Sequence, residues 1–395
     1  MAKYMDYPWQ SESNLTSRSF YVSLSGSSPR TDTIMTASLS HTPSRRAFLR
    51  QVAAGSLLTQ VPLTLQSQAP RPPKPIRAAQ IGTGHAHAAG KWKTLLRSED
   101  FQMVGLTEPD PAWQFHLGKG DYAGAKVLEM EAILKDSTIQ MVAVESRVEH
   151  LLDHAEACLE AGKHIHLDKP AGADWDHFKR VVTLARQQNR RLQMGYMFRY
   201  NPAFELCFRA VREGWLGKIF AVEAVMGKKS GDSTRQDLAR FEGGTMFELG
   251  CHVIDAVVYL LGAPDKVHAF QRQTRSDDGL ADNQLAVLEY PDALATVRSA
   301  LMDVDGFSRR QLVVCGEFGR LEIRPLEPPK VRLTLEKAAG GFDPGVHDIE
   351  VENTPRYVKD FQDLAQSIRT GKPLDFGYDH DLVVQETVLR ASGMW

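Results

Sequence analysis

Cysteine is scarce here and never closely paired: Cys158, Cys207, Cys251 and Cys315 are the four among 395 residues, with no C-x-x-C. That spacing argues against a zinc ribbon or redox dithiol, and the thiols are expected to be reduced core residues. An excess of one charge sign is also lacking. A formal net charge of −2 gives no electrostatic basis for binding nucleic acid or an anionic membrane. No stable membrane span is expected either, because the apolar stretch from Val52 to Leu65 is short and broken by Gly55, Gln60 and Pro62. What is there, 43% hydrophobic and 24% charged residues, is the composition of a soluble globular protein long enough for two domains.

Residues 1–75 are rich in Ser, Thr, Gln and Pro and end in the stiff run from Pro70 to Pro75. Within them, Ser44-Arg45-Arg46-Ala47-Phe48-Leu49-Arg50 precedes a weakly apolar stretch and Ser67-Gln68-Ala69. The pattern resembles a bacterial twin-arginine export signal. It implies a disordered or cleaved leader, the twin-arginine export machinery as a partner, and a periplasmic or extracytoplasmic destination. A chance arginine pair would leave the protein cytoplasmic. Met35, ten residues before Arg45, is an alternative start. Without residues 1–69, 41 basic residues face 46 acidic ones, a balance better suited to a neutral substrate than a phosphorylated one.

From Ile76 the pattern becomes that of a dinucleotide-binding unit. Ile76–Ile81 reads as a strand, Gly82-Thr83-Gly84-His85 as the turn, and the Ala-rich segment to Arg97 as a helix. Gly82 permits the turn, Gly84 admits a pyrophosphate, and the helix N-terminus faces its charge. His87 occupies the place of the third glycine. Phe101–Leu106 reads as the second strand, and Glu108 after it is placed to accept ribose hydroxyls, favouring NAD over NADP. Further strands at Ile139–Val144, His164–Leu167 and Arg191–Met194 alternate with helices at Met130–Lys135, Val148–Ala161 and Asp174–Gln188. This rhythm predicts a doubly wound parallel sheet over residues 76–195.

Three motifs in order, Gly82/Gly84, Gly162-Lys163-His164…Asp168-Lys169-Pro170, and Gly243-Gly244…Glu248-Leu249-Gly250-Cys251-His252…Asp255, carry a family resemblance. The chain from Ile76 onward resembles the glucose–fructose oxidoreductase/inositol dehydrogenase/rhizopine-catabolism (Gfo/Idh/MocA) family. The resemblance implies an α/β fold: a Rossmann unit, then residues 196–395 as a substrate and oligomerisation domain with a large, mainly antiparallel open sheet. Strand-like runs at Ile219–Met226, Lys266–Arg272, Gln284–Tyr290, Ala293–Ala300, Arg310–Val314, Arg320–Ile323 and Val331–Leu335 agree, with helices near Pro355–Arg369 and Asp379–Ala391.

Alcohol oxidation needs a hydride acceptor and a base at the hydroxyl. Lys169, at the end of a central strand, is expected to hydrogen-bond the reacting oxygen. The family's histidine at the position of His252 is a proton acceptor and donor. Glu248, one turn earlier, reads equally as a group orienting His252 and as N3 of a capping box with Thr245. Asp255 is a candidate buttress for His252. The resemblance places Glu145, Ser146 and His150 near the nicotinamide and its ribose, although Glu145-Ser146 replaces the usual Thr-Pro, and Asp168 and Lys169 are also expected to bind the cofactor. Tyr196, Arg199, Tyr200 and Asn201 are expected to contact substrate. His85 and His87 lack an acidic partner nearby in sequence, and no metal is expected.

The leading expectation is an exported NAD-dependent oxidoreductase acting on a sugar or polyol, its cofactor bound before export and retained. Alternatives are an NAD-dependent redox-neutral glycosidase and a non-catalytic sugar or NAD sensor. A homo-oligomer, dimer or tetramer, is expected from the open sheet.

Overall fold

The computed structural model describes residues 73–240 and 242–395. The twin-arginine motif, its cleavage site and the Met35 start lie outside the described residues.

Short runs largely buried on both faces form the parallel sheet, and their interior polar residues Gln80, His166 and Gln193 are hydrogen-bonded. β1 (Ile76–Ile81), β2 (Phe101–Thr107), β3 (Met141–Val144), β4 (His164–Leu167) and β5 (Leu192–Met194) pair in parallel in the order β2-β1-β3-β4-β5. The strand order reverses between β1 and β3, so their carboxyl ends flank the crevice where such sheets bind ligands. The connecting helices are α1 (Ala88–Arg97), α2 (Met130–Lys135), α3 (Leu151–Glu160) and α4 (Trp175–Gln187), the last capped by the Asp174 side chain accepting from the His177 amide.

After β5 comes α5 (Pro202–Arg212), a helix not anticipated above. Its signal is present in the sequence: the Asn201 side chain caps it and Pro202 occupies the first turn. Beyond it lie β6 (Ile219–Gly227), α6 (Asp232–Leu238), α7 (Cys251–Leu261), β7 (Lys266–Arg272), β8 (Asn283–Glu289), β9 (Leu294–Ala300) and α8 (Gly306–Arg309). β10 (Gln311–Gly316), β11 (Gly319–Leu326), β12 (Pro329–Leu335) and β13 (Gly345–Ile349) follow, then α9 (Val358–Thr370) and α10 (Tyr378–Ala391). The second sheet runs β13-β12-β11-β10-β6-β9-β8-β7. Every neighbouring pair is antiparallel except β6 with β9. The expected strands are all present. Edge strand β13 is the addition, and it buries no residue, so it has no apolar period to reveal it.

Two features join the halves. Near the C-terminus, α9 returns to the first sheet and packs Phe361, Leu364 and Ala365 against Ile76, Phe101 and Met141. Between the sheets, Arg199 is enclosed with Asp255 of α7 and Asp381 of α10. Its Nη2 lies 2.7 Å from Asp255 and 2.6 Å from Asp381, while His380 holds the same Asp255 oxygen at 2.9 Å. The guanidinium also sits 4.8 and 4.7 Å from the Tyr196 and Phe376 rings. Removing one partner of such a cluster leaves uncompensated buried charge. Arg199→Ala is therefore expected to destabilise the protein by about 3–5 kcal/mol. Chemical denaturation should show this loss, against about 0.5 kcal/mol or less for the exposed Lys179→Ala control.

Candidate active site

At the end of β1 the chain turns at Gly82, whose φ is +91° and whose Cβ, if present, would lie 2.4 Å from the Ser146 backbone. Only glycine fits there. The next residue ties the loop to β2: the Thr83 amide and hydroxyl donate to Glu108 Oε2 at 2.5 and 2.7 Å. Among the described residues, the Gly84 and Ala86 amides carry no hydrogen bond, and both lie just ahead of α1. Free amides before a helix N-terminus, beside a carboxylate able to take ribose hydroxyls, fit a dinucleotide.

Beneath this loop is a buried charge cluster that sequence reading missed. Asp168, at the end of β4, receives Lys91 Nζ at 2.9 Å, His85 Nδ1 at 2.5 Å and His87 Nδ1 at 3.2 Å. Lys91, wholly buried on α1, also reaches Glu145 at 3.1 Å. Burial pushes the Asp168 carboxyl up, but His85, Lys91 and His87 outweigh it and hold Asp168 ionised well below the usual range. Glu145 goes the other way: burial and the charge of Asp168 raise it well above that range, despite Lys91. Unit charges about 3 Å apart attract by roughly 5–6 kcal/mol at an effective dielectric of about 20. That is comparable with the several kcal/mol of desolvation each buried ion costs.

The expectation that His85 and His87 lack an acidic partner is thus corrected, since the fold supplies Asp168 across 81 residues. Their ligand atoms converge within 4.8 Å and have the chemistry to hold a metal ion. Lys91 already sets an ammonium against the same carboxylate, supplying positive charge there.

Lys169 follows at once, its peptide bond to Pro170 cis. Its Nζ donates to the Glu248 carbonyl at 2.7 Å and lies 3.3 Å from Glu248 Oε1. The capping box does not form. Thr245 is itself helical and bonds Ser299 Oγ at 2.8 Å, while Met246–Gly250 winds as a π turn. A Cβ at Gly244 would lie 2.1 Å from the Ala281 carbonyl, so the chain enters this turn against β8's approach. The wider winding frees the Glu248 carbonyl for Lys169 and the Cys251 thiol, as π turns at functional sites commonly do.

His252, in the first turn of α7, is buried. Its Nδ1 lies 3.5 Å from the Met197 amide, too far to commit the ring's lone pair, and the Tyr196 and Phe198 rings meet it edge-on. Burial, reinforced by Lys169 and His87, keeps the imidazole neutral with a pKa well below its ordinary value. The expected orienting groups point elsewhere: Glu248 to Lys169, and Asp255 to Arg199 and His380.

Of the expected substrate contacts, Tyr196 borders His252. Arg199 is committed to its aspartates, the Tyr200 hydroxyl donates to Asp363 at 2.6 Å, and Asn201 caps α5. The cavity of about 700 Å³ that reaches Arg199 and Tyr200 is edged by Phe208, Tyr259 and Phe376 and does not include Lys169 or His252. Near the nicotinamide positions, Ser146 Oγ pairs with His154 Nδ1 at 2.6 Å, and the His150 ring lies 6.1 Å from that of His154. His154 was missed; it stands one helical turn beyond His150, a spacing that puts both on one face.

A switch-point crevice, a glycine loop with free amides and a lysine–histidine pair define a nicotinamide-dependent oxidoreductase. Residues 76–196 match the oxidoreductase family model with an NAD-binding Rossmann fold, and 204–322 match the Gfo/Idh/MocA C-terminal domain. The chain belongs to the Gfo/Idh/MocA family. It is 26% identical over 272 residues to D-xylose 1-dehydrogenase (NADP(+)) 2 of Haloferax volcanii, covering 65% of this chain and 78% of that one. It is 27% identical over 184 residues to scyllo-inositol 2-dehydrogenase (NADP(+)) IolW of Bacillus subtilis, covering 44% and 49%. Among solved structures, aldose-aldose oxidoreductase from Caulobacter crescentus, complexed with glycerol, has the same fold with a TM-score of 0.69 at 22% identity, covering 81% and 98%.

The Lys169–Glu248 pair makes a pH prediction. Burial raises the Glu248 carboxyl, yet Lys169 and Lys228 bring it down to about 2, so its contribution to stability is lost only as pH falls toward 2. Burial lowers the Lys169 ammonium, yet Glu248 raises it above its ordinary value, so its contribution is lost only in strong alkali. In Glu248→Gln, Lys169 should titrate below its unfolded value, and stability should then rise with pH across the alkaline range. Thermal unfolding between neutral pH and about pH 10 checks this, with a flat wild-type profile beside it.

Proposed function

We propose that this protein oxidises a secondary hydroxyl of a sugar or polyol with NAD as hydride acceptor. The observation that carries the reading is Glu248 Oε2, buried beside the Lys169 ammonium and, among the described residues, without a hydrogen-bond partner. A carboxylate oxygen so placed accepts a hydroxyl next to the reacting one, and its desolvation disfavours a substrate with only one. The named activities of the relatives on xylose and inositol support the same substrate class.

Lys169 holds the reacting oxygen and makes its proton easier to lose, and neutral His252 takes that proton. Tyr196 walls the site beside His252. Gly82, Thr83, Gly84 and His85 would cradle the pyrophosphate, Glu108 the ribose, and Ser146 and His150 the nicotinamide end, with Glu145 and Asp168 buried beneath them against Lys91. When bound, the nicotinamide supplies the hydride acceptor. Glu108 favours NAD, because a 2′-phosphate would meet its carboxylate. The arginine motif supports export with the cofactor retained, as a route carrying folded proteins allows. Phe270, Leu285 and Leu294 are exposed on the large sheet, an apolar surface suited to pairing with a second copy.

The test is reduced-nicotinamide absorbance with D-xylose, inositols and linear polyols, each with NAD and NADP. NADH should accumulate, and Glu108→Ser should erode the preference for NAD by about tenfold, or 1.4 kcal/mol. Silence with every polyol, or a wild-type preference for NADP, rejects the reading.

A further inference from the structure

The cavity between α5, the C-terminal end of α7 and the segment after β13 takes no part in the chemistry at Lys169 and His252, yet it is built as a binding site. Its volume of about 700 Å³ is that of a small-molecule site. Its floor is aromatic: the Tyr259 ring lies 4.3 Å from that of Phe208 and 4.9 Å from that of Phe376. Tyr259 is 38% exposed, so one ring of the floor is open to a ligand. The most deeply buried lining residue is Arg199, whose Nε and Nη2 are held by Asp255 and Asp381. Among the described residues its Nη1 has no hydrogen-bond partner. The two carboxylates already match the charge, so what Nη1 lacks is an acceptor oxygen and not an anion.

We propose that this cavity binds a short neutral oligosaccharide, at a site separate from the one at Lys169. Tyr259 and His252 both stand on α7, about 10 Å apart along its axis at 1.5 Å per residue. Arg212 of α5 and Glu350 and Glu352 after β13 are exposed lining residues. Among the described residues none of these three side chains forms a hydrogen bond or an ion pair. Opposite charges that share a cavity and stay apart favour neither an anion nor a cation. Sugar hydroxyls, which both donate and accept, use both. The C–H face of a pyranose fits the open face of Tyr259, and one of its hydroxyls supplies the acceptor for Arg199 Nη1. The volume exceeds what one pyranose fills, so the ligand is a chain and not a single ring. The site does not depend on the oxidoreductase reading, because neither Lys169, His252 nor the glycine loop contributes to it.

Calorimetric titration of the cofactor-free protein with xylotriose, cellotriose and maltotriose tests the proposal. At least one should bind saturably, and Tyr259→Ala should weaken that binding by about tenfold. The double variant Arg212→Gln/Glu352→Gln, confined to exposed side chains that carry no packing, should weaken it to a similar degree. Bound trisaccharide should also slow nitration of Tyr259 by tetranitromethane, followed by peptide mapping. The site is overturned if no trisaccharide binds, if both variants bind as wild type does, if Tyr259 is nitrated equally fast with sugar present, or if benzoate binds there more tightly than the sugars. None of these readouts involves hydride transfer. A wild type that reduces neither cofactor with any polyol, yet binds a trisaccharide over Tyr259, rejects the oxidoreductase reading and keeps this site. One that oxidises polyols but binds no trisaccharide does the reverse.

Discussion

An ionised carboxylate shut away from water has to be neutralised where it stands, and in this protein that carboxylate is Asp168. It draws Lys91 from the first helix, His85 and His87 from the glycine loop, and the backbone amide of Lys169 around one point at the end of β4. Removing Lys91 would leave the buried carboxylate without its cation, at a cost of several kcal/mol. The cluster therefore fixes the loop against the central strand, and with it the direction in which Lys169 leaves that strand toward Glu248. One electrostatic requirement sets both the cofactor loop and the lysine of the reaction.

Much of this was legible because it depends on local periodicity. The parallel strands are short, mostly buried runs, and Glu108 and Lys169 each follow one of them, so their places at the sheet's carboxyl edge follow from chain order. The fold was less readable where tertiary context overrides local pattern. A lysine on an amphipathic helix reads as solvated, and nothing near Lys91 in sequence announces that Glu145 and Asp168 will meet it in the interior. Thr245-Met246-Phe247-Glu248 has the residues of a capping box, but Ser299 takes the threonine hydroxyl and Lys169 takes the glutamate.

Arg199 shows a related limit. An arginine following the last strand of the first sheet is well placed for a substrate, and position alone cannot distinguish that from a structural role. The distinction lies in Asp255 and Asp381, on helices far along the chain, which hold Nε and Nη2 of the guanidinium and so join three segments. In the function proposed above, the chemistry facing the substrate falls to fewer groups, chiefly Lys169 and Glu248 with His252, one of the two neutral histidines His87 and His252. Their neutrality has a common origin in burial among positive neighbours, which disfavours a second cation in the same space.

The turn at Gly82 has a consequence for how such a loop can drift over evolutionary time. Its side-chain position is filled by the Ser146 backbone, which no compensating substitution can trim away, so that glycine is fixed by main-chain geometry. The third position of the fingerprint is under no such constraint here and has been surrendered to histidine. Gly82 is thus closed off by backbone, whereas a Cβ at Gly84 would meet only the Arg147 and Trp113 side chains, which can shift.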